Sequence, residues 1–392
     1  MSSEKPRPGF FALELLDNRF PVLHGLRVLA ILSVVQLHVT AVMAGEEHIT
    51  LDRDLSGVSV SIFFGMDMFF VLSGFLIGTI LLRSLEQHGS QNIRRFYVRR
   101  AFRTFPLYYV VLIALALGTT LTPQQRAHLP YELIYATNFM PGGHTQLVMS
   151  WGWSLALEEQ FYLTVPLLFL LLWKLPSDRA RLGLLGALWA SALAVRLYIF
   201  YRYGPWEDFA LFRAIYVSTY TRYDTLVCGI ALAFVHVRHK DRVMAWLTDP
   251  FHRALLAVPA LGCLWLLVRP QLFGREHLPL FHVFAWGTLT TVMYFTSLLL
   301  FLSGVGSVTR ALSRPVFRRM ATLGYGVYLV HIPILQRLIL PMAKGLGARQ
   351  WPMVVVWPLS FVLVMVASFA LSYVLHVLVE KPSLRLRERI AA

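Results

Sequence analysis

Two polar side chains share one face of the first long apolar stretch. In Pro21-Val-Leu-His24-Gly-Leu-Arg27-Val-Leu-Ala-Ile-Leu-Ser-Val-Val-Gln-Leu-His38, Arg27 and His38 stand three helical turns apart. They differ by only about 20° around the axis and by about 16 Å along it. His24 falls on the same stripe. A charge at the bilayer centre costs about 2.5–3.5 kcal/mol on insertion scales, so such residues are candidates for function. Imidazole is suited to taking a proton from a weak nucleophile near neutral pH. The same residues would also suit a hydrogen-bonded structural histidine and an arginine snorkelling to lipid phosphates.

A carboxylate lies within a second apolar stretch, Ser150-Trp-Gly-Trp-Ser154-Leu-Ala-Leu-Glu158-Glu159-Gln-Phe-Tyr162. Helical spacing stacks Ser154, Glu158 and Tyr162 on one face and turns Glu159 about 100° away. A buried carboxylate beside an imidazole orients and activates a base, so Glu158 is expected to serve His38. Asp67, in Phe63-Phe-Gly-Met-Asp67-Met-Phe-Phe-Val-Leu-Ser73-Gly74, suits pairing with an arginine at least as well as chemistry. Gly74, on its face, would let another helix approach closely. Arg222-Tyr-Asp224 opens a later apolar run, and Gly324, Tyr328 and His331 share one face just before Pro333.

Residues 93–105 read differently. Val98, Phe102 and Phe105 recur at helical spacing, with Arg95, Arg99 and Arg103 facing away. This is the pattern of an interfacial amphipathic helix. It suits attraction to anionic lipid and equally suits a phosphate clamp, because guanidinium groups bind phosphate bidentately.

The elements that must position these residues are membrane spans. Of 392 residues, 57% are hydrophobic and 15% charged, against about 25% charged in a soluble domain. That excludes a disordered chain, a fibrous repeat and a disulfide scaffold. The two cysteines, Cys228 and Cys263, form no CxxC pair and no metal spacing is present. With about 20 apolar residues needed per span, ten spans are expected, over 22–44, 57–82, 106–121, 151–173, 182–203, 222–237, 254–268, 280–303, 320–343 and 352–378. The fold class is all-α and polytopic. The net charge of +15 does not indicate nucleic-acid binding, because the cations cluster between alternate spans. With the N-terminus inside, the cytoplasmic segments hold roughly three times the Lys and Arg of the outer ones, which places both termini in the cytoplasm. No loop is long enough for a separate soluble domain. Residues 122–150, with Gly142-Gly143, are expected to form an outer loop with some structure.

Together these segments resemble the acyltransferase 3 family of bacterial integral-membrane acyltransferases. The resemblance runs through PVLHGLRVLAILSVVQLH, FFGMDMFFVLSGFLI, RRFYVRRAFRTFPLYY, SWGWSLALEEQFY, TRYDTLVCGIALA, YGVYLVHIP and the closing VEKP. It implies one transmembrane acyltransferase domain over 1–392 in the bacterial cytoplasmic membrane. It also implies transfer of an acyl group, often acetyl, from cytoplasmic acyl-CoA to a hydroxyl of a sugar, glycolipid, cell-wall polymer or small natural product. No permanently bound cofactor or metal is implied. His38 matches the family's catalytic histidine, Arg27 its upstream partner, Arg100 and Arg103 its Arg-x-x-Arg pair, and Glu158 the acid of the fourth span. The family's usual Asp-Gly-Leu-Arg is His24-Gly-Leu-Arg27 here. On this reading Arg99, Arg100 and Arg103 hold the donor's phosphates. Asp67, Ser154, Tyr162, Arg222, Asp224, Tyr328 and His331 stand in support or on the acceptor side. A transporter or flippase is the competing reading of buried charge in a ten-helix bundle, but it lacks the repeat that many transporters show.

Overall fold

In hydrocarbon a backbone amide has no partner but the chain itself, so each apolar stretch closes as a helix. The computed structural model describes residues 11–46, 64–140, 146–206, 208–269, 272 and 274–390, and no strand occurs among them. Ten long helices follow in chain order: α1 (Pro21–Ala44), α2 (Gly65–His88), α3 (Ile93–Leu117), α4 (Ser150–Lys174), α5 (Asp178–Tyr203), α6 (Thr219–Arg238), α7 (Pro250–Leu267), α8 (His277–Leu302), α9 (Pro315–Ala348) and α10 (Met353–Ile390). Nine of them, among the described residues, are long and apolar enough to cross a membrane. The helix outside that set is α6, whose first two turns carry Arg222 and Asp224 and lower its hydropathy. The chain is a multi-pass membrane protein. The expected start of the second span at 57, the Gly142-Gly143 pair, and Lys5, Arg7 and Arg53 of the charge comparison lie outside the described residues.

Two boundaries differ from expectation for physical reasons. Residues 93–105 and the span expected at 106 form one continuous helix, α3, which runs through Pro106 and starts where the Asn92 side chain accepts from the Arg95 N–H at 2.9 Å. A proline inside a membrane helix is tolerated because neighbouring groups satisfy the freed carbonyl. Helix α10 continues past the expected end at 378 through a wide π turn at His376–Glu380 into an amphipathic segment, Lys381–Ile390.

The chain divides into two compact units. The first holds α1, residues 98–113 of α3, α9 and α10. There α1 packs along α9 and α10, and α9 along α10. The second holds α2 and α4 to α8, with α2 packed against α6, α5 against α6 and α7 against α8. Helices α2 and α6 touch backbone to backbone. A Cβ on Gly74 would lie 2.1 Å from the Leu226 carbonyl oxygen, and one on Gly229 would lie 2.2 Å from that of Val71. Small residues are what permit so close a crossing. Between α3 and α4, a short helix, Pro123–Leu133, begins with a capping box made by Thr122 and Gln125. Glu132 then accepts from the backbone N–H groups of Val148 (3.0 Å) and Met149 (2.7 Å), folding the segment back on itself.

Candidate active site

The first unit brings two histidines together. His38 stands on α1 and His331 on α9, and His331 Nε2 lies 2.9 Å from His38 Nδ1, with ring centroids 5.0 Å apart. His331 Nδ1 lies 2.7 Å from the Tyr328 carbonyl oxygen. The partners assign the protons. A carbonyl only accepts, so His331 Nδ1 carries the hydrogen and its Nε2 keeps a lone pair. His38 Nδ1–H therefore donates to His331, and His38 Nε2 is left as a lone pair, the form a general base requires. His331 is fully buried, while His38 is half-buried. The helix is locally loosened here. Pro333 offers no N–H, and a π turn follows at Leu335–Ile339, a distortion found often at functional sites.

At the start of the first unit's α3 segment, Arg99 and Arg103 each meet an acid near the end of α10. Arg99 lies 3.4 Å from Glu388, both exposed, and Arg103 lies 3.7 Å from the buried Glu380. Arg100 lies between them on α3, and its carbonyl accepts from Thr104 at 3.1 Å. Arg27 stands on α1, half-buried, on the His38 face.

Within the second unit Glu158 accepts on one oxygen, Oε1, from both the Ser73 hydroxyl of α2 and the Tyr162 hydroxyl one turn on. Ser154, a turn earlier, is buried, with its hydroxyl 3.4 Å from the Trp151 carbonyl. Four other intramembrane charges form two ion pairs. Arg222 bonds Asp67, with its guanidinium 4.5 Å above the Tyr216 ring. Arg196 bonds Asp224 at 2.7 Å and also donates to Val283 O, Thr221 O and Thr288 Oγ1. All four charged residues are sealed from solvent. Helix α8 is broken at Trp286 and Gly287 to admit this knot. A Cβ on Gly287 would lie 2.4 Å from Asp224 Oδ2 and 2.6 Å from Arg196 Nη1, and its φ of +117° suits glycine.

Against known families, the acyltransferase domain family matches residues 20–377. The chain belongs to the acyltransferase 3 family. It is 28% identical over 80% of its length to the peptidoglycan O-acetyltransferase OatA of Listeria monocytogenes, covering 49% of that protein. It is 28% identical to a putative peptidoglycan O-acetyltransferase, YrhL, of Bacillus subtilis, over 80% of this chain and 48% of that one. A putative O-acetyltransferase of Staphylococcus aureus is 27% identical over 64% of the chain, covering 40% of the relative. The chain thus spans about half the length of these relatives or less. No solved structure matches it.

Within this acyltransferase 3 chain, besides the arginines of α3, the sequence-selected residues form three local groups. His38 is joined by His331, with Tyr328 supplying the carbonyl behind it. His38 Nδ1 meets the His331 ring. Glu158 gathers Tyr162 and, unexpectedly, Ser73. Asp67, Arg222 and Asp224 enter ion pairs with each other or with Arg196. Arg196 and Glu380 were missed as site residues. Arg196 carried a signal, since it is an arginine within an apolar span. Glu380 carried a weaker one, standing in the closing VEKP beside an expected helix end.

Proposed function

We propose that the protein is an integral-membrane O-acyltransferase that moves an acyl group, acetyl above all, from cytoplasmic acyl-CoA to a hydroxyl of a sugar or cell-wall glycan. The observation that carries this reading is the order Tyr328 carbonyl–His331–His38, which leaves His38 Nε2 unprotonated and half-open. In the proposed step the acceptor's hydroxyl gives its proton to His38 Nε2 as its oxygen attacks the thioester carbonyl carbon. The carbon–sulfur bond then breaks, and the CoA sulfur takes the proton back from His38. His331 accepts from the imidazolium more strongly than from the neutral ring, because a charged donor makes the stronger hydrogen bond. General-base catalysis of this kind is worth about 10²–10⁴-fold.

Arg99, Arg100 and Arg103 would take the donor's phosphates, which favour guanidinium groups for their bidentate fit. The pantetheine arm is comparable in length to the Arg27–His38 separation of about 16 Å. With both termini in the cytoplasm, the donor would rise from the basic side and the acceptor approach from the other. Glu158, Ser73, Ser154 and Tyr162 would form a second polar group on the acceptor side. The two peptidoglycan O-acetyltransferase relatives support acetyl as the acyl group and a glycan hydroxyl as acceptor. The residence proposed is the bacterial cytoplasmic membrane. The test is acetyl-CoA consumption by His38→Ala at a membrane level matched to wild type. Loss of turnover is expected, and retained transfer removes His38 from the mechanism.

A further inference from the structure

The closing VEKP motif has no role in the chemistry above, yet it sits at a buried junction. His376, in the π turn of α10, is fully buried and makes two bonds. Its Nε2 accepts from the Glu14 backbone N–H at 3.2 Å, and its Nδ1 lies 2.6 Å from Glu380 Oε2. An amide N–H only donates, so the proton of the ring is on Nδ1 and is given to the carboxylate. The other carboxylate oxygen, Glu380 Oε1, is buried, has no hydrogen bond among the described residues, and faces Arg103 Nη1 at 3.7 Å. Around this point the residues before α1 are stitched down. Lys381 Nζ donates to the Ala12 carbonyl (2.6 Å), Tyr373 to that of Phe11 (2.7 Å), and Arg318 to that of Leu16 (2.7 Å).

The Arg103–Glu380 pair differs from the other ion pairs of its unit. Arg103 keeps 20% of its side chain accessible while Glu380 keeps 2%. In Arg99–Glu388 and Lys344–Glu46 both members are accessible. A sealed carboxylate is poor value as a stabiliser, because an apolar residue would be cheaper to bury. It does fix a guanidinium that reaches past it. We propose that Glu380, oriented by His376, is a positioning residue for the donor. It grips one edge of the Arg103 guanidinium and leaves the opposite N–H groups facing a diphosphate such as that of acyl-CoA. This inference rests on the acyl-CoA reading given under the proposed function.

The test measures acetyl-CoA binding and kinetics on the purified full chain, with Glu380→Gln, Arg103→Ala and the double variant. Loss of one oriented charged contact should raise the donor KM of Glu380→Gln about tenfold. Its kcat at saturating donor and its acceptor KM should stay within about twofold of wild type. In the Arg103→Ala background the same change should add nothing, because Glu380 acts through that arginine. His376→Gln keeps an acceptor for the Glu14 N–H but loosens the carboxylate. It should raise the donor KM as well, and it stands in if Glu380→Gln does not accumulate. A folded Glu380→Gln or His376→Gln with an unchanged donor KM overturns the proposal while leaving the donor reading intact. An effect of Glu380→Gln that multiplies with Arg103→Ala overturns it equally. Wild-type protein that binds no acetyl-CoA removes the donor reading and this inference with it.

Discussion

Replacing His331 by leucine removes the acceptor behind His38 and leaves the rest of α9 in place. In the resting state His38 Nδ1–H then loses its bond to the His331 ring, and a typical hydrogen bond is worth about 0.5–1.5 kcal/mol. The larger effect falls in the transition state, where the imidazole takes a proton and the lost bond would have been charge-assisted. The difference between a charged and a neutral donor is about 1–2 kcal/mol, or about 5–30-fold in rate. The ring is also freed to place its proton on Nε2, which removes the basic lone pair. Together these should lower kcat of His331→Leu by about 30–100-fold, within the range of general-base effects. The donor KM should stay within about twofold, because the ring does not hold the phosphates. His331→Gln sets an amide oxygen near the position of Nε2 and should recover activity to within about fivefold of wild type. The assay is thiol release from acetyl-CoA at matched protein level. Leucine and glutamine variants of equal rate, or a leucine variant as fast as wild type, would refute the relay from the Tyr328 carbonyl to His38.

Four further outcomes follow from the packing and the charge pairs. Arg196→Leu strands Asp224 in a sealed site and should destabilise the fold by about 3–5 kcal/mol, whereas Arg196→Leu with Asp224→Leu should recover most of it; thermal melts in detergent compare the two. Gly74→Ala drives a methyl into the Leu226 carbonyl and should lose more than about 3 kcal/mol, while Gly183→Ala meets nothing within 4 Å and should gain up to about 1 kcal/mol. Burial holds the Glu132 carboxyl above its usual range, against the opposing pull of the Met149 and Val148 N–H groups. The fold therefore binds its proton more readily than the unfolded chain, so stability should fall as pH rises between the unfolded and the raised folded value, a slope that melts of Glu132→Gln should lack. Glu388→Gln frees Arg99 from an exposed pair worth about 0–1 kcal/mol; its melting point should hold, and its donor KM should fall by up to about fivefold if phosphate otherwise displaces that carboxylate.

The spans were legible because hydropathy and helix length are local properties. The structure shows helix over all ten expected stretches, within a few residues at most ends where the chain is described. The exceptions have a common cause. A span boundary is expected at Pro106 and a span end at 378, yet membrane helices run through proline and widen into π turns when neighbours supply the missing bonds. The close crossing of α2 and α6 was half visible in Gly74, but its counterpart Gly229 could not be matched to it from the sequence. The site was legible as a set of residues out of place, not as a set of partners. His38 and Glu158 were each identified by cost, since polar groups in hydrocarbon demand a reason. Which partner each would find depends on helix rotation, which spacing does not fix. His331, read only as sharing a face with Gly324 and Tyr328 before Pro333, is the neighbour of His38.

The difference between the two kinds of buried polar group argues for where the chemistry sits. In the second unit four intramembrane charges are matched, Arg222 with Asp67 and Arg196 with Asp224, and Gly287 gives up its side chain to make room. Groups so matched hold helices in register, and removing either member is costly. In the first unit His38 and His331 bond each other and the Tyr328 carbonyl. Their chain ends on a backbone carbonyl, which can fix a tautomer but carries no charge to trap a proton. A carbonyl accepts but does not donate, so it fixes the tautomer that leaves His38 Nε2 as a lone pair. An imidazole held in that way is prepared for a proton that comes with the substrate. Turnover of His38→Ala and His331→Leu together should therefore match that of His38→Ala alone, since the second ring has nothing to act on once the first is gone; an additional loss in the double variant would mean that His331 touches the reacting groups itself.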